Sequence, residues 1–430
     1  MIAGLHDLLL ERERTQRPLR VGLIGAGTFG DMFLRQAVRV PGVQLAGVAD
    51  LRPDHAAVVL ARAGAPAGTF VTDDAAAVIA QTPDVVIEAT GATIPAVRHI
   101  LAALGAGCHV VNVTVEADAL VGAALVAAAQ AANRSYSLAS GDQPALICDL
   151  VDWARINGFP VVAVGKGTLH RPGFEQATPD DVWDYYGFDA DKADASGYDR
   201  RMFTSFVDGT KSAIEMAAVA AATGLGVATA GLSFPPVGAR QLADRLRPAA
   251  AGGLLECAGL VEVVSSSNAD GTTVAEDLRW GVYAVIEAPD EIAARRFRDY
   301  GLAIDASGRY AGLWRPNHLI GMELMTSVAQ VGLLGIPMGA PTLYAADVAA
   351  RTKTVLPAGT MLDGEGGFAV SGRLLSAIRA RDQDIVPIGL AAGIRTIRPV
   401  EAGALLTWAD VESSPAAEVL ALRSSMTPVG

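Results

Sequence analysis

The sequence is poor in cysteine, histidine and basic residues, and it contains no long unbroken apolar run. Cysteine occurs three times in 430 residues, at Cys108, Cys148 and Cys257. The three lie far apart without a CxxC pair, which argues against a disulfide framework or a cysteine zinc site and suits a reducing, cytoplasmic setting. All three read as small buried hydrophobes. The six histidines show no HxH or HExxH spacing, so no dedicated zinc site is expected. Basic residues number 34 against 46 acidic ones, a net charge of -12. Such a surface repels phosphate backbones and anionic membranes, so neither nucleic acid nor a membrane is an expected partner. The opening MIAGLHDLLLERERTQRPLR holds an apolar patch too short and wrongly flanked for a signal peptide or a membrane span.

What is present is ample core material, 51% hydrophobic residues, enough for two or three domains. From residue 19, the β-branched runs RVGLIG, VQLAGVAD, DVVIEAT, HVVNVT and SYSLAS alternate with helical segments. That alternation predicts an α/β fold opening with a Rossmann doubly wound sheet, a dinucleotide-binding domain over 1–158. Beyond it, strand-like LLECAGLVEVV and WGVYAVIEA between helices predict an α+β substrate domain over 159–312. The segment NHLIGMELMTSVAQVGLL reads as a helix, and 313–340 is expected to return to the first domain.

VGLIGAGTFG ends a strand and opens a helix, with Gly25, Gly27 and Gly30 in GxGxxG register around Thr28 and Phe29. The first glycine permits the tight turn, the second lets backbone approach a pyrophosphate, and the third lets helix pack on strand. The helix N-terminus adds free N–H groups and a positive dipole end. Asp50 ends the next strand, where a carboxylate accepts hydrogen bonds from an adenosine ribose. Asp50 favours NADH, whereas Arg52, two residues on, suits the 2′-phosphate of NADPH. Ala89, Thr90 and Gly91 end a later strand on the same rim, either lining a nicotinamide ribose or making an ordinary strand-to-helix turn.

Reduction of a carbonyl needs a proton donor near the developing alkoxide and groups that orient the substrate. In VDGTKSAIEMAAVAAATG, read as a helix, Asp208, Lys211 and Glu215 fall at i, i+3 and i+7 on one face, at the head of an apolar, buried segment. Lys166 stands between two glycines after the apolar VVAV. Desolvation there would lower its pKa and make it a usable acid or base, unless it is a solvated strand end. For Lys211 the alternative is a structural ion pair with Asp208 or Glu215. Ser140, Asp142, Gln143 and His170 follow strands and are expected on the ligand-binding rim. Arg309, Arg315 and His318, the last at a helix start, read as a local basic patch, which implies a small anionic substrate. A magnesium or manganese ion held by Asp142, Asp208 or Glu215 with substrate oxygens is a further candidate. Seven aromatic residues between Trp183 and Phe206, mixed with five aspartates, are expected to cover a site or to form a subunit contact in a homo-oligomer, a dimer or tetramer.

RTKTVLPAGTML and RTIRPVEAGALL, 351–362 and 395–406, form a weak internal repeat, expected as two short strand-turn units related by a pseudo-twofold axis. With Asp410 and Val411 following, the second unit resembles the SAF domain, the antifreeze-like module also found at the end of sialic acid synthases. That resemblance implies a small C-terminal β-rich SAF domain over 341–430.

The stretches GAGTFG, SGDQPA, VVAVGKGT, TPDDVWDYYG, MFTSFVDGTKSAIEMAAVA, DLRWGVYAVIEA, SGRYAGLWRPNHLIGMEL and MLDGEGG resemble the deoxyxylulose-5-phosphate reductoisomerase-like enzymes, relatives of homoserine dehydrogenase that carry a C-terminal SAF domain. The resemblance runs over nearly the whole chain. It implies NADPH and the rearrangement and reduction of 1-deoxyxylulose 5-phosphate to methylerythritol 4-phosphate, a step toward isoprenoids, although one architecture hosts several substrates. Homoserine dehydrogenase itself matches less well: its usual Thr-Ala-Asn-Lys appears as Thr114-Val115-Glu116-Ala117, without the lysine. Its aspartate shortly before a lysine on one helix does resemble Asp208 and Lys211. On this reading Lys166 and Lys211 bind and protonate the developing alkoxide, Asp208 and Glu215 orient them, and Arg309, Arg315 and His318 hold the anion. The alternatives are a homoserine-dehydrogenase-like or sugar-acid dehydrogenase without rearrangement, and a non-catalytic dinucleotide sensor.

Overall fold

The computed structural model describes residues 4–412 and 416–429. The chain forms two compact units, one of 1–148, 318–342 and 422–426, the other of 149–317, 343–421 and 427–430.

The first unit carries a six-stranded sheet built from β1 (Leu19–Ile24), β2 (Val43–Ala49), β3 (Val71–Thr72), β4 (Val85–Glu88), β5 (His109–Asn112) and β6 (Tyr136–Leu138). Its order is β3-β2-β1-β4-β5-β6, and every neighbouring pair is parallel. Val21, Leu23, Ile87 and Val111 are fully buried, because a parallel sheet is covered on both faces and its strands read as continuous apolar runs. β3 has only two residues, and so short an edge strand leaves no periodic signal in the sequence. The helix Leu324–Leu334 puts Leu324, Val328 and Val331 into the same core as Leu19, Val21 and Phe33, the i, i+4, i+7 stripe of an amphipathic helix. It begins well after His318, which lies in irregular chain ahead of it rather than at a helix start.

The second unit is built on a mixed sheet of β7 (Val161–Thr168), β8 (Gly226–Val227), β9 (Leu260–Ser265), β10 (Val282–Glu287), β11 (Ala303–Ile304) and β12 (Tyr310–Arg315), ordered β11-β12-β10-β7-β9-β8. The stretch expected as one strand over 254–264 extends only from Leu260. The preceding Gly259 has φ +82 and turns the chain, which leaves Cys257 exposed while Cys108 and Cys148 are buried. The helix Thr210–Thr223 runs through the interior with Ala213, Ile214, Met216 and Val219 buried.

A two-stranded antiparallel sheet, β13 (Ala346–Thr352) with β14 (Val370–Ser376), opens the C-terminal part. The main-chain N–H of Gly372 donates to Thr210 Oγ1 at 2.7 Å, which ties this part to the buried helix. Residues 343–421 accordingly share a compact unit with 149–317, where the sequence reading divided the chain at 312 and 340. The two repeats pair with each other through bridges Arg351 to Leu405, Leu356 to Val400 and Met361 to Arg395. Equivalent residues make equivalent bonds: Gly359 N–H donates to Thr396 O and Gly403 N–H to Thr352 O, while Thr396 and Thr352 hydroxyls accept from Thr360 and Ala404 N–H. This is a pseudo-twofold in which each repeat supplies the other's partner strand.

The aromatic segment is largely its own partner. Trp183 packs on Phe203 at 5.1 Å and Tyr186 on Phe203 at 5.2 Å between ring centres, around helices Val182–Tyr186 and Arg200–Val207. Phe188 and Tyr198 nevertheless stay 39% and 47% exposed. Among the described residues no helix is long and apolar enough to cross a membrane.

Candidate functional site

In the first unit, Gly25 holds φ +100, and a Cβ there would lie 2.5 Å from the carbonyl oxygen of Ala89. A Cβ on Gly30 would meet the carbonyl oxygen of Gly25 at 2.3 Å, whereas one on Gly27 would meet nothing within 4 Å. Turn, open backbone and tight packing are therefore divided among the three glycines as dinucleotide binding requires. Gly27 stands exposed at the N-cap of the helix Thr28–Ala37, with Thr28 exposed and Phe29 half-buried beside it. The first N–H groups of a helix have no partner within it, so the turn and helix end fit a pyrophosphate.

Asp50 is engaged on both oxygens: Oδ2 accepts from Ala26 N–H and Oδ1 from Arg52 N–H, each at 2.9 Å. It clasps the glycine turn to the end of β2, a structural duty the sequence reading did not include. Arg52 is exposed, and Leu51 between them is 91% exposed. Thr90 and Gly91 lie exposed after β4, with Ala89 half-buried. Their loop is pinned from below by Glu88, a fully buried carboxylate that accepts from the hydroxyls of Thr114 and Thr90 and meets His99 Nδ1 at 3.2 Å. Next to it, directly after the segment that replaces the homoserine dehydrogenase pattern, Asp118 accepts from Tyr136 Oη at 2.5 Å and Asn112 Nδ2 at 2.9 Å. Burial pushes its carboxyl up to about 8. The sequence pattern singles out neither carboxylate network.

In the second unit Lys166, on β7, donates to Glu215 on the buried helix. The two side chains are 8% and 5% exposed. The glycines flanking Lys166 have a packing reason, since a Cβ on Gly165 or Gly167 would collide with the carbonyl oxygens of Glu262 and Leu278. Lys211 is half-buried and stands one turn before Glu215, on the same helix face.

Asp208 does not belong to that face. Gly209 has φ +85 and breaks the chain between helices Arg200–Val207 and Thr210–Thr223, so the i, i+3, i+7 reading fails at its first member. Asp208 pairs instead with Lys353, Oδ2 to Nζ 2.8 Å, with side chains 0% and 1% exposed. Lys353 also donates to the carbonyl oxygens of Ala177 at 2.5 Å and Gly367 at 2.8 Å. Burial pushes the Asp208 carboxyl up and Lys353 pulls against it. Sequence reasoning missed Lys353, yet a signal existed: its counterpart in the second repeat is Ile397, which is exposed. An inward lysine departs from the repeat only where it has a buried carboxylate to meet.

The remaining candidates scatter. Arg309 is held by Glu287 and precedes β12, whereas Arg315 ends it. Six residues of strand separate them by roughly 20 Å, so Arg309 does not join Arg315 in one basic patch. Ser140, Asp142 and Gln143 lie in the first unit. Ser140 is buried, its N–H donating to Ser327 Oγ at 2.6 Å, while Asp142 accepts from Gln143 N–H at 2.9 Å. The cation reading also fails, because Asp208 and Glu215 each face an ammonium group. Among the described residues no three His, Cys, Asp or Glu side chains are grouped to hold a metal. His170 is half-buried, its ring lies tilted against Phe234 at 4.1 Å and meets the Val207 carbonyl at 3.1 Å through Nδ1, and desolvation lowers its pKa.

Residues 141–324 match the family described as oxidoreductase DRL, catalytic domain, and residues 21–139 match the NAD-binding domain of homoserine dehydrogenase. One region thus matches an oxidoreductase catalytic domain and another a nicotinamide-binding domain. No match is found among curated proteins. Solved structures similar to this chain include a homoserine dehydrogenase from Thiobacillus denitrificans, 14% identical over 80% of this chain and 83% of that one with a TM-score of 0.41. A probable dehydrogenase from Thermotoga maritima is 14% identical over 74% and 90%, TM-score 0.40. The WlbA dehydrogenase from Bordetella pertussis, in complex with NADH and UDP-GlcNAcA, is 21% identical over 37% of this chain, TM-score 0.29, and the chain spans 49% of its length.

Proposed function

We propose that this chain reduces the carbonyl of a small anionic hydroxy-carbonyl compound with NADPH, after an isomerisation of the kind carried out by the reductoisomerase-like enzymes it resembles. The observation that carries the reading is the buried Lys166–Glu215 pair. Burying an ion pair is weak evidence of added stability, since desolvation offsets the attraction, and a shielded ammonium bonded to a carboxylate is a proton-transfer pair. Lys211 stands on the same helix face one turn before Glu215, which places a second ammonium group on the face that carries the pair, where it would meet an anionic substrate.

Gly25, Gly27, Thr28, Phe29 and Gly30 would hold the pyrophosphate, and the small residues Ala89, Thr90 and Gly91 the nicotinamide half; the bound cofactor supplies hydride. Arg52 supports NADPH, because Asp50 is already engaged by two main-chain N–H groups while Arg52 is exposed. Lys166 then gives its proton to the substrate oxygen and Glu215 holds the ammonium in place. The pseudo-twofold of the C-terminal repeats supports reading 341–430 as an SAF-like element.

The test is Lys166→Met and Lys211→Ala, assayed by nicotinamide absorbance with a panel of hydroxy-carbonyl phosphates and acids. Loss of turnover with retained NADPH binding is expected for each, and full turnover in either variant refutes that lysine's role. A second reading, a dehydrogenase without rearrangement, draws on the homoserine dehydrogenase match over 21–139. NMR of the product carbon skeleton separates the two.

A further inference from the structure

A cavity of about 350 Å³ opens on the other side of the buried helix. Ala213 lines it, whereas Lys211 and Glu215 stand two positions to either side, about 200° round the helix. The cavity is therefore a different place from the Lys166–Glu215 pair. Its walls come from the chain after β7, from the loop before β9, and from β13 and β14 of the C-terminal part. Leu232, Phe234 and Leu374 supply apolar surface.

Its charge is out of keeping with an acidic protein. Arg171, Arg351 and Arg373 bring three positive charges to the lining and Glu175 one negative, while Asp208 at its edge is matched by Lys353 at 2.8 Å. That leaves an excess of two positive charges. The arginines are half-buried, so water screens the excess only partly. Arg373 is held below its ordinary pKa, first by burial and then by Arg351 and Arg379, against a smaller opposite pull from Glu175, as expected where cations outnumber their counter-charge. The Nε of Arg171 is buried with no hydrogen-bond partner, a donor of the kind folded proteins almost always satisfy.

We propose that this cavity binds a small phosphoryl-bearing molecule, whose dianion meets the two uncompensated charges of Arg171, Arg351 and Arg373. A phosphate monoester carries nearly two negative charges and three acceptor oxygens at neutral pH, and guanidinium forks match its oxygens in pairs. A carboxylate would offset only one charge. Because the C-terminal hairpin supplies Arg351 and Arg373, the site gives that part of the chain a ligand to bind, independent of the proposed reduction.

The experiment is calorimetric titration of the full chain with inorganic phosphate, with acetate as the monoanion control. Phosphate is expected to bind and acetate not. Arg373→Ala and Arg171→Ala are each expected to weaken phosphate binding roughly ten- to hundredfold with NADPH binding unchanged. Arg171→Ala guards against misfolding, since its Nε makes no bond to lose, and a preserved melting temperature confirms the fold. Lys166→Met is expected to leave phosphate binding intact. No phosphate binding, binding indifferent to both arginine variants, or binding lost in Lys166→Met overturns the assignment; the last would place the anion at the proposed reduction site instead.

Discussion

Replacing Lys353 by methionine would leave a carboxylate in the interior without its cation. Lys353 bonds Asp208 at 2.8 Å and two carbonyl oxygens, and both side chains are essentially inaccessible to water. Removing one member of a buried pair costs about 3–5 kcal/mol, because the other is stranded. For a unit of this size that corresponds to a fall in melting temperature on the order of 5–15 °C. The penalty should depend on pH. Burial already raises the Asp208 pKa, and an acid that holds its proton more tightly when folded favours the fold at low pH and loses that contribution as pH rises through the folded value. Without Lys353 the folded value climbs further, so the deficit of Lys353→Met should be largest near pH 8 and shrink toward about pH 5. Asp208→Asn combined with Lys353→Met should recover most of the loss at neutral pH. Thermal unfolding of the wild type, Lys353→Met and the double variant at both pH values is the assay. A single variant melting with the wild type at pH 8, or a deficit indifferent to pH, refutes the buried pair as described.

The glycine turn allows a sharper separation of stability from binding. Gly27→Ala adds a methyl to open space and should leave the melting temperature unchanged while weakening NADPH, whereas Gly25→Ala, at φ +100 against the Ala89 carbonyl, should lose both; fluorescence titration and melting curves check this. Asp118, pushed up to about 8 by burial, should make wild-type stability fall between about pH 4 and pH 8, and Asp118→Asn should flatten that part of the profile in pH-dependent melting. Arg52→Ala should raise KM for NADPH while leaving that for NADH nearly unchanged, as steady-state kinetics with both cofactors would show.

The first unit was legible in the sequence because its determinants are local. Apolar runs of strand length, the glycine register and Asp50 at a strand end all act over a few residues, and the parallel sheet follows from their alternation with helices. The repeats were legible too, since their symmetry is written in Arg351-Thr352 and Arg395-Thr396. The second unit was harder, because its site is made by pairs distant in sequence. Nothing near Asp208 announces Lys353, and a left-handed Gly209 between two helices cannot be told from a glycine inside one by periodicity alone. Arg309 and Arg315 looked close because they are close in sequence, but an extended strand carries its two ends far apart.

The central claim, that this chain transfers hydride from a nicotinamide to a small anionic carbonyl compound, is tested most directly with NADPH carrying deuterium at the reactive nicotinamide carbon, followed by NMR of the product. Deuterium is expected on the carbon that gains the hydroxyl, in the wild type and not in Lys166→Met. Cofactor that binds and is never oxidised by any hydroxy-carbonyl phosphate or acid, or product without the label, contradicts the account.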